Sequence, residues 1–180
     1  IIVIQWLAIG LLLIFCTPSL KNESSYNAVK IVAAHDSLVN HNDTISIIGV
    51  GDMMLGSAYP SVYNLPPDND CSPLLEDVKD ILLSADITFG NLEGCFLNAG
   101  PTTKNCKDPS KCYAFRMPDK YIGCFVECGF DILSLANNHS GDFGLNGRKN
   151  TMRLLDSVNI YYAGLLTNPF TIFEKNDVKY

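Results

Sequence analysis

Short apolar runs alternate with stretches of helical periodicity from residue 44 to the end of the chain. Four runs rich in β-branched or other apolar residues predict core strands, at residues 44–50, 86–90, 132–136 and 160–163. Between them, apolar residues recur every three or four positions and predict helices, at residues 72–82, 118–128 and 146–157. Strands that alternate with helices indicate an α/β domain with a mainly parallel sheet. A final hairpin is predicted over residues 170–180.

The first 43 residues follow a different pattern. Residues 1–15 are almost entirely apolar, interrupted only by Gln5 and Gly10. This run is shorter than the roughly 20 residues of a bilayer span, and its length is typical of the apolar core of a secretory signal. We therefore expect a signal peptide or an uncleaved membrane anchor over residues 1–20, with a buried core helix as the alternative. Residues 21–43 are polar and predict a tether, which leaves residues 44–180 as the domain.

The charge balance restricts the kind of partner. The chain has 180 residues, a formal net charge of -6 and a pI of about 4.9. It has no basic stripe with interleaved aromatic residues, so nucleic acid is not expected as a partner. The apolar leader instead predicts export to the cell envelope and association with the membrane through the N-terminal segment. The chain starts at Ile1 and stops within the predicted hairpin, so truncation at both ends is expected.

Six cysteines follow Cys16. An even number of cysteines in an exported chain indicates disulfides. Cys106 and Cys112 flank a small polar loop and are candidates for a mutual bridge. Cys124 and Cys128 lie four positions apart on a predicted helix, which is a poor geometry for such a bridge. A structural zinc site is the alternative, and it ranks lower because the sequence has no Cys-x-x-Cys pair.

Polar side chains follow three of the predicted strands. They are Asp52 after the first strand, Asn91 and Glu93 after the second, and Asn137, Asn138 and His139 after the third, with Asp142 in the glycine-rich loop beyond. Ligands of open α/β sheets bind beyond the carboxyl ends of the strands. We therefore expect these side chains to meet at one edge of the sheet. The alternative is that they are ordinary turn residues whose side chains cap the backbone.

Three segments that carry these residues resemble the CapA family of bacterial capsule-synthesis proteins, which are associated with poly-γ-glutamate. The segments are Gly-Asp-Met-Met-Leu-Gly at 51–56, Gly-Asn-Leu-Glu-Gly at 90–94, and Leu-Ala-Asn-Asn-His at 135–139 followed by Asp-Phe-Gly at 142–144. The resemblance extends from about residue 45 to the end of the chain. Any one segment alone is weak evidence for the family. The occurrence of all three segments in this order makes the resemblance fairly specific.

The family is similar in fold to calcineurin-like metallophosphoesterases. The resemblance implies an α/β sandwich, with a sheet core flanked by helices, of which this chain supplies the N-terminal part. It also implies bound divalent metal ions (Mn, Zn or Fe), either one ion or a dinuclear pair. The metal ligands implied are Asp52, Asn91, Glu93, Asn138 and His139, and the catalytic residues implied are His139 and Asp142. Met54 departs from the phosphoesterase pattern, which has a histidine at that place.

Three functions remain open. The first is an exported capsule-biosynthesis protein that performs metal-assisted hydrolysis or transfer at a phosphoester or amide bond, with an anionic polymer or phosphoester as substrate. The second is a non-catalytic member of the same fold that binds the polymer or a membrane partner, and the absence of a histidine at Met54 favours it. The third is a disulfide-rich extracellular binding domain, which explains the cysteines but not the three polar strand ends.

Overall fold

The computed structural model describes residues 44–108 and 111–180. The strands are β1 (Ile47–Met53), β2 (Ile87–Leu92), β3 (Cys95–Phe96), β4 (Arg116–Met117), β5 (Ile132–Ser134), β6 (Tyr161–Ala163), β7 (Glu174–Lys175) and β8 (Val178–Lys179). The helices are α1 (Glu76–Leu83), α2 (Ile122–Glu127) and α3 (Gly144–Ser157). The predicted leader and tether, residues 1–43, lie outside the described residues. In the part of the chain that the structure describes, no helix has the length and apolar character needed to cross a membrane.

A four-stranded sheet forms the centre of the domain, in the order β1-β2-β5-β6. All three neighbouring pairs are parallel. Parallel neighbours need a crossover connection, and the helices between successive strands provide it. The predicted fold class, a mixed α/β domain with a mainly parallel sheet flanked by helices, is therefore confirmed. The predicted hairpin is also present, as the antiparallel pair β7 and β8.

Two strands extend further than the sequence pattern predicted. β1 continues to Met53 and β2 to Leu92, so Asp52 and Asn91 lie within the last residues of their strands rather than after them. The apolar runs end earlier because the polar residues interrupt the hydrophobic signal, whereas the backbone pairing between the strands continues. This extension fixes both polar side chains in the register of the sheet.

One face of the sheet packs against the helices. Leu133 of β5 is in the core with Leu82 of α1, Phe125 of α2 and Leu155 of α3, all 6% exposed or less. Burial of such apolar side chains stabilises the domain by about 1.5–3 kcal/mol for each one. The opposite face is more open, with Phe89 of β2 at 37% exposure.

The apolar stripe expected along the first helix is only partly correct. Leu75 and Leu82 are buried, but Val78 and Ile81 are exposed. The predicted helix begins with a 3-10 turn at Ser72–Leu74, and α1 proper has only eight residues. A change of helix type changes the angle between successive side chains, so the stripe that a single α-helix would present is broken.

Two disulfides are present among the described residues. The predicted pair Cys106 and Cys112 is confirmed, and Cys71 bonds to Cys124, a pairing that the sequence did not predict. Cys95 and Cys128 are buried free thiols, so Cys124 and Cys128 do not pair. The Cys71–Cys124 bridge fastens the turn before α1 to α2.

The two bridges are expected to differ in their contribution to stability. Replacing Cys71 and Cys124 by alanine should lower the free energy of unfolding by about 4 kcal/mol, because this bridge closes a long loop in the unfolded chain. The corresponding change at Cys106 and Cys112, which are only six residues apart, should cost about 2 kcal/mol. Urea unfolding of both double variants under oxidising conditions measures the difference. Equal losses, or a larger loss for the short loop, would contradict this expectation.

Candidate active site at the carboxyl end of the sheet

A β-bulge in β1 determines where Asp52 points. Gly49 pairs with Phe89, and the next pair is Asp52 with Asn91. β1 therefore has one more residue than β2 between these two pairs. The extra residue reverses the alternation of side chains, as bulges beside functional sites commonly do. As a result Asp52 lies beside Asn91 on the open face, while Met53 is buried in the core.

The side-chain amide of Asn91 joins two carboxylates. Its Nδ2 donates to Asp52 Oδ1 at 2.7 Å and to Glu93 Oε2 at 3.1 Å. One amide nitrogen has two hydrogen atoms, so it can satisfy both acceptors at once. Asp52 and Glu93, which belong to different segments of the sequence, are thus held on either side of a single donor.

Asn137 connects this pair to the third strand end. Its Nδ2 donates to Asn91 Oδ1 at 3.1 Å and to the carbonyl oxygen of Leu92 at 2.8 Å. Its Oδ1 accepts from the backbone N–H groups of His139 and Ser140, at 2.9 and 2.8 Å. An asparagine that bonds to the backbone two residues further on makes a compact turn. This turn brings His139 back over the sheet.

His139 lies between two carboxylates. Its Nδ1 is 2.7 Å from Asp142 Oδ2, and its Nε2 is 3.5 Å from Glu93 Oε1. Phe115 stacks on the imidazole with 4.2 Å between the ring centroids. Lys104 Nζ also lies 3.1 Å from Nδ1, but its shorter contact is with Asp142 Oδ1. Because an ionised carboxylate only accepts hydrogen bonds, we assign the hydrogen to Nδ1, which donates it to Asp142 Oδ2. Nε2 is then the nitrogen that faces Glu93.

Asp142 is the buried anchor of this array, with a side chain only 1% exposed. Lys104 Nζ is 2.8 Å from its Oδ1, and the backbone N–H of Phe115 donates to its Oδ2 at 2.9 Å. The hydroxyl of Thr102 and the N–H of Thr103 donate to its backbone carbonyl, at 2.7 and 2.9 Å. A buried carboxylate needs such partners, since an unpaired buried charge is very costly. These contacts fasten the loop that carries Lys104 over the site.

Comparison with protein families identifies the family of this chain. Residues 46–174 match the family model described as "Bacterial capsule synthesis protein PGA_cap". The matched segment is more than half of the chain and contains every residue of the array. The chain belongs to the PGA_cap family.

Relatives of this PGA_cap chain show moderate sequence identity to it. The chain is 28% identical over 156 residues to "Uncharacterized protein y4uA" of Sinorhizobium fredii. The aligned segment covers 83% of the chain and 31% of that protein. It is 27% identical over 123 residues to "Capsule biosynthesis protein CapA" of Bacillus anthracis, covering 68% and 29% respectively. It is 26% identical to "PGA biosynthesis protein CapA" of Bacillus subtilis, covering 68% and 30%. The chain therefore spans less than a third of the length of these relatives.

The open face of the PGA_cap site is electronegative near Glu93. Partial burial raises the pKa of Glu93 above its ordinary value, and the negative charge of Asp52 raises it further. These two effects outweigh the lowering of the pKa by His139 and Asn91. The raised pKa therefore reflects first the removal of Glu93 from water and second the charge of Asp52.

The donor set fits a divalent ion by its chemistry. Carboxylate oxygens and an imidazole nitrogen are ligands that Mn, Zn and Fe accept, and the carboxylates of Asp52 and Glu93 both contact Asn91 Nδ2. In the described ranges, no three His, Cys, Asp or Glu side chains form a potential ion-binding group. The amide of Asn91 separates Asp52 from Glu93 and makes bonds to both.

The implied metal ligand Asn138 lies apart from this network. Its side chain is exposed, and in the described part of the chain the neighbouring Asn137 makes the contacts with Asn91. Sequence reasoning therefore selected the correct tripeptide but did not identify which asparagine joins the array. It also missed Lys104, because nothing near this residue in the sequence signals a partner as distant as Asp142.

Proposed function

We propose that this PGA_cap chain carries part of the catalytic site of a capsule-biosynthesis protein. The proposed reaction is hydrolysis or transfer at a phosphoester or amide bond, with an anionic polymer or phosphoester as substrate. The names of the two Bacillus relatives support capsule and PGA biosynthesis as the process. The observation that carries the proposal is the array of Glu93, His139 and the buried Asp142.

His139 is the proton-transfer group in this proposal. Asp142 holds the hydrogen of Nδ1 and fixes the orientation of the ring, and the stacked Phe115 limits its rotation. Nε2 is then available to accept a proton from a nucleophile or to return one to a leaving group. Glu93, 3.5 Å from Nε2 and with a raised pKa, is suited to exchange that proton. Lys104 neutralises Asp142, so that the array does not bury an uncompensated negative charge.

A divalent ion is part of the proposal. Asp52, Asn91 and Glu93 are the residues that would hold it. The resemblance also implies Asn138, which lies apart from the array, and His139, whose Nε2 this proposal assigns to proton transfer. When bound, such an ion supplies an activated water and polarises the bond to be cleaved. The contact of both carboxylates, Asp52 and Glu93, with Asn91 supports this assignment.

Export is proposed from the apolar N-terminal residues and the disulfides. The apolar residues 1–15 would serve as a signal or an anchor, and the disulfides suit an oxidising compartment. The second candidate function, a non-catalytic protein that binds the polymer, is favoured by Met54 at the place of a phosphoesterase histidine. It is also favoured by the hydrogen bonds of Asn91, which satisfy both carboxylates without an ion.

His139→Gln tests the proposal in the full-length protein. Because a positioned general acid or base contributes about 100- to 10,000-fold, hydrolysis of an aryl phosphate or of purified capsule polymer should fall by at least about 100-fold. His41→Gln is the matched control, since it removes a histidine of the predicted tether. Elemental analysis for Mn, Zn and Fe should show metal in the wild type and less in Asp52→Ala.

Two results would reject the catalytic proposal. One is an activity that His139→Gln leaves at the level of His41→Gln. The other is a wild-type protein without activity and with the same metal content as Asp52→Ala, and this result would favour the polymer-binding alternative.

A further inference from the structure

A cleft beside the candidate active site has one apolar and one cationic wall. Its volume is about 500 Å³. Loop residues 97–103 form the apolar wall, which includes Leu97 and Pro101. Helix α3 forms the other wall and contributes Lys149 and Arg153. Such a cleft suits a ligand whose aliphatic portion contacts one side while its anionic groups contact the other.

The cationic wall is a regular stripe on α3. Asn146, Lys149, Asn150 and Arg153 recur at intervals of three or four residues, so they lie on one face of the helix. Asn150 is fixed by hydrogen bonds to the Phe96 carbonyl and to Asp119, at 2.9 and 2.8 Å. It therefore belongs to the framework, and the two cations are the groups left to meet a ligand.

These cations are only weakly compensated. Arg153 donates to Asn150 Oδ1 at 2.9 Å, and its distance to Asp119 Oδ2 is 4.0 Å, with 63% of the arginine side chain exposed. Lys149 is exposed and has no ion-pair partner in the part of the chain that the structure describes. Asp119 also bonds to Asn150, so it offsets only part of the positive charge.

The positive charge of this region contrasts with the rest of the chain. The residues that line the cleft include Lys149 and Arg153 and no Asp or Glu, whereas the whole chain has a net charge of -6. An excess of one sign in one region of an oppositely charged protein is typical of a surface that attracts charged ligands. A merely solvated helix face would not require this contrast.

The apolar wall is held in place from behind. Arg116 Nη1 donates to the Gly100 carbonyl at 2.6 Å, and its guanidinium lies 5.1 Å from the centroid of the Phe143 ring. Thr103 bonds to the Asp142 carbonyl, so the loop that forms the cleft is also the loop that covers the active-site array. A preformed cleft avoids the entropic cost of ordering its walls when a ligand binds.

We propose that this cleft is a binding site for an extended anionic chain, whose carboxylate or phosphate groups pair with Lys149 and Arg153. This cleft proposal rests on the proposed function only in placing the bound polymer next to the array at His139. The cleft positions the polymer, and the array acts on it.

The test is binding by the full-length protein of two labelled probes, poly-glutamate and inorganic polyphosphate. Lys149→Gln combined with Arg153→Gln should weaken binding of the true ligand class about 10-fold, because each exposed charge pair contributes modestly. Lys120→Gln combined with Lys179→Gln makes the same charge change away from the cleft and should have little effect. Preference for one probe identifies the anionic group. Added salt should reduce wild-type binding of that probe.

Wild-type affinity in the cleft variant, or an equal loss in the Lys120 and Lys179 variant, would overturn the proposal. The outcome is separate from that of the catalytic proposal. The cleft proposal is decided by binding of the probes to the cleft variant, and the catalytic proposal by hydrolysis of a small aryl phosphate by His139→Gln. If His139→Gln loses hydrolysis and the cleft variant still binds, only the cleft proposal fails. If His139→Gln keeps its hydrolytic activity and the cleft variant loses binding, only the catalytic proposal fails.

Discussion

Asp142→Ala is expected to lower the free energy of unfolding by about 3 kcal/mol. Its carboxylate is buried and has three partners in the structure: Lys104, His139 and the backbone N–H of Phe115. Removing the carboxylate leaves the Phe115 N–H without an acceptor and Lys104 without its counter-ion. Because Lys104 is 22% exposed, its side chain can turn toward water, which keeps the loss near the lower end of the range for a broken buried pair. Urea unfolding followed by circular dichroism measures the change.

Asp142→Asn is the matched control. It keeps the shape of the side chain and one oxygen acceptor but removes the charge. We expect a loss of about 1–2 kcal/mol, since hydrogen bonds to charged groups are stronger than neutral ones. The hydrogen bonds of Thr102 and Thr103 go to the backbone carbonyl and remain in both variants. An alanine variant as stable as the wild type would contradict the role of Asp142 as the anchor of the loop.

Gly94→Ala is expected to lower the free energy of unfolding by about 3 kcal/mol. Gly94 has a φ of +100°, a left-handed conformation that costs other residues about 1–2 kcal/mol. A Cβ at this position would lie 2.8 Å from the backbone oxygen of Phe115, and forcing an atom into packed structure costs about 1–3 kcal/mol more. The displaced Phe115 is the residue that stacks on His139 and donates to Asp142. The activity of any surviving folded protein should therefore fall as well.

Gly100→Ala separates the two causes of this loss. Gly100 has a similar φ of +120°, but the nearest atom to its Cβ would be 3.8 Å away, in the side chain of Leu97. This variant should therefore lose only about 1 kcal/mol, the cost of the backbone conformation. Comparison of the two alanine variants by urea unfolding isolates the effect of the contact with Phe115. Equal losses at Gly94 and Gly100 would show that this close contact is unimportant.

The elements of the sheet could be predicted from local patterns. Each central strand is a short apolar run, and each following helix is marked by apolar residues at intervals of three or four. α3 is the clearest case, since its end at Ser157 is as predicted, although the helix begins at Gly144, two residues before the predicted start. The first helix was predicted less well, because the sequence does not signal the 3-10 turn at Ser72–Leu74 that shortens it.

The members of the array could be predicted only as residues at strand ends. Asp52, Glu93 and His139 were expected at one edge of the sheet. The structure joins Asp52 to Glu93 through Asn91, and His139 contacts Glu93. Their roles as metal ligands and catalytic groups remain predictions. The contribution of Asn137 in place of Asn138 depends on the turn after β5, whose hydrogen bonds decide which amide faces the sheet.

The α/β fold class, the resemblance to a capsule-synthesis family and the polar character of the strand ends could be read from the amino-acid sequence, because each depends on patterns within short segments of the chain. The tertiary structure alone decided the direction of Asp52, the choice of Asn137, the pairing of Lys104 with Asp142 and the Cys71–Cys124 bridge. Each of these depends on a register shift or on a contact between segments far apart in the sequence. A local pattern carries no information about such contacts, which are set by the packing of the whole domain.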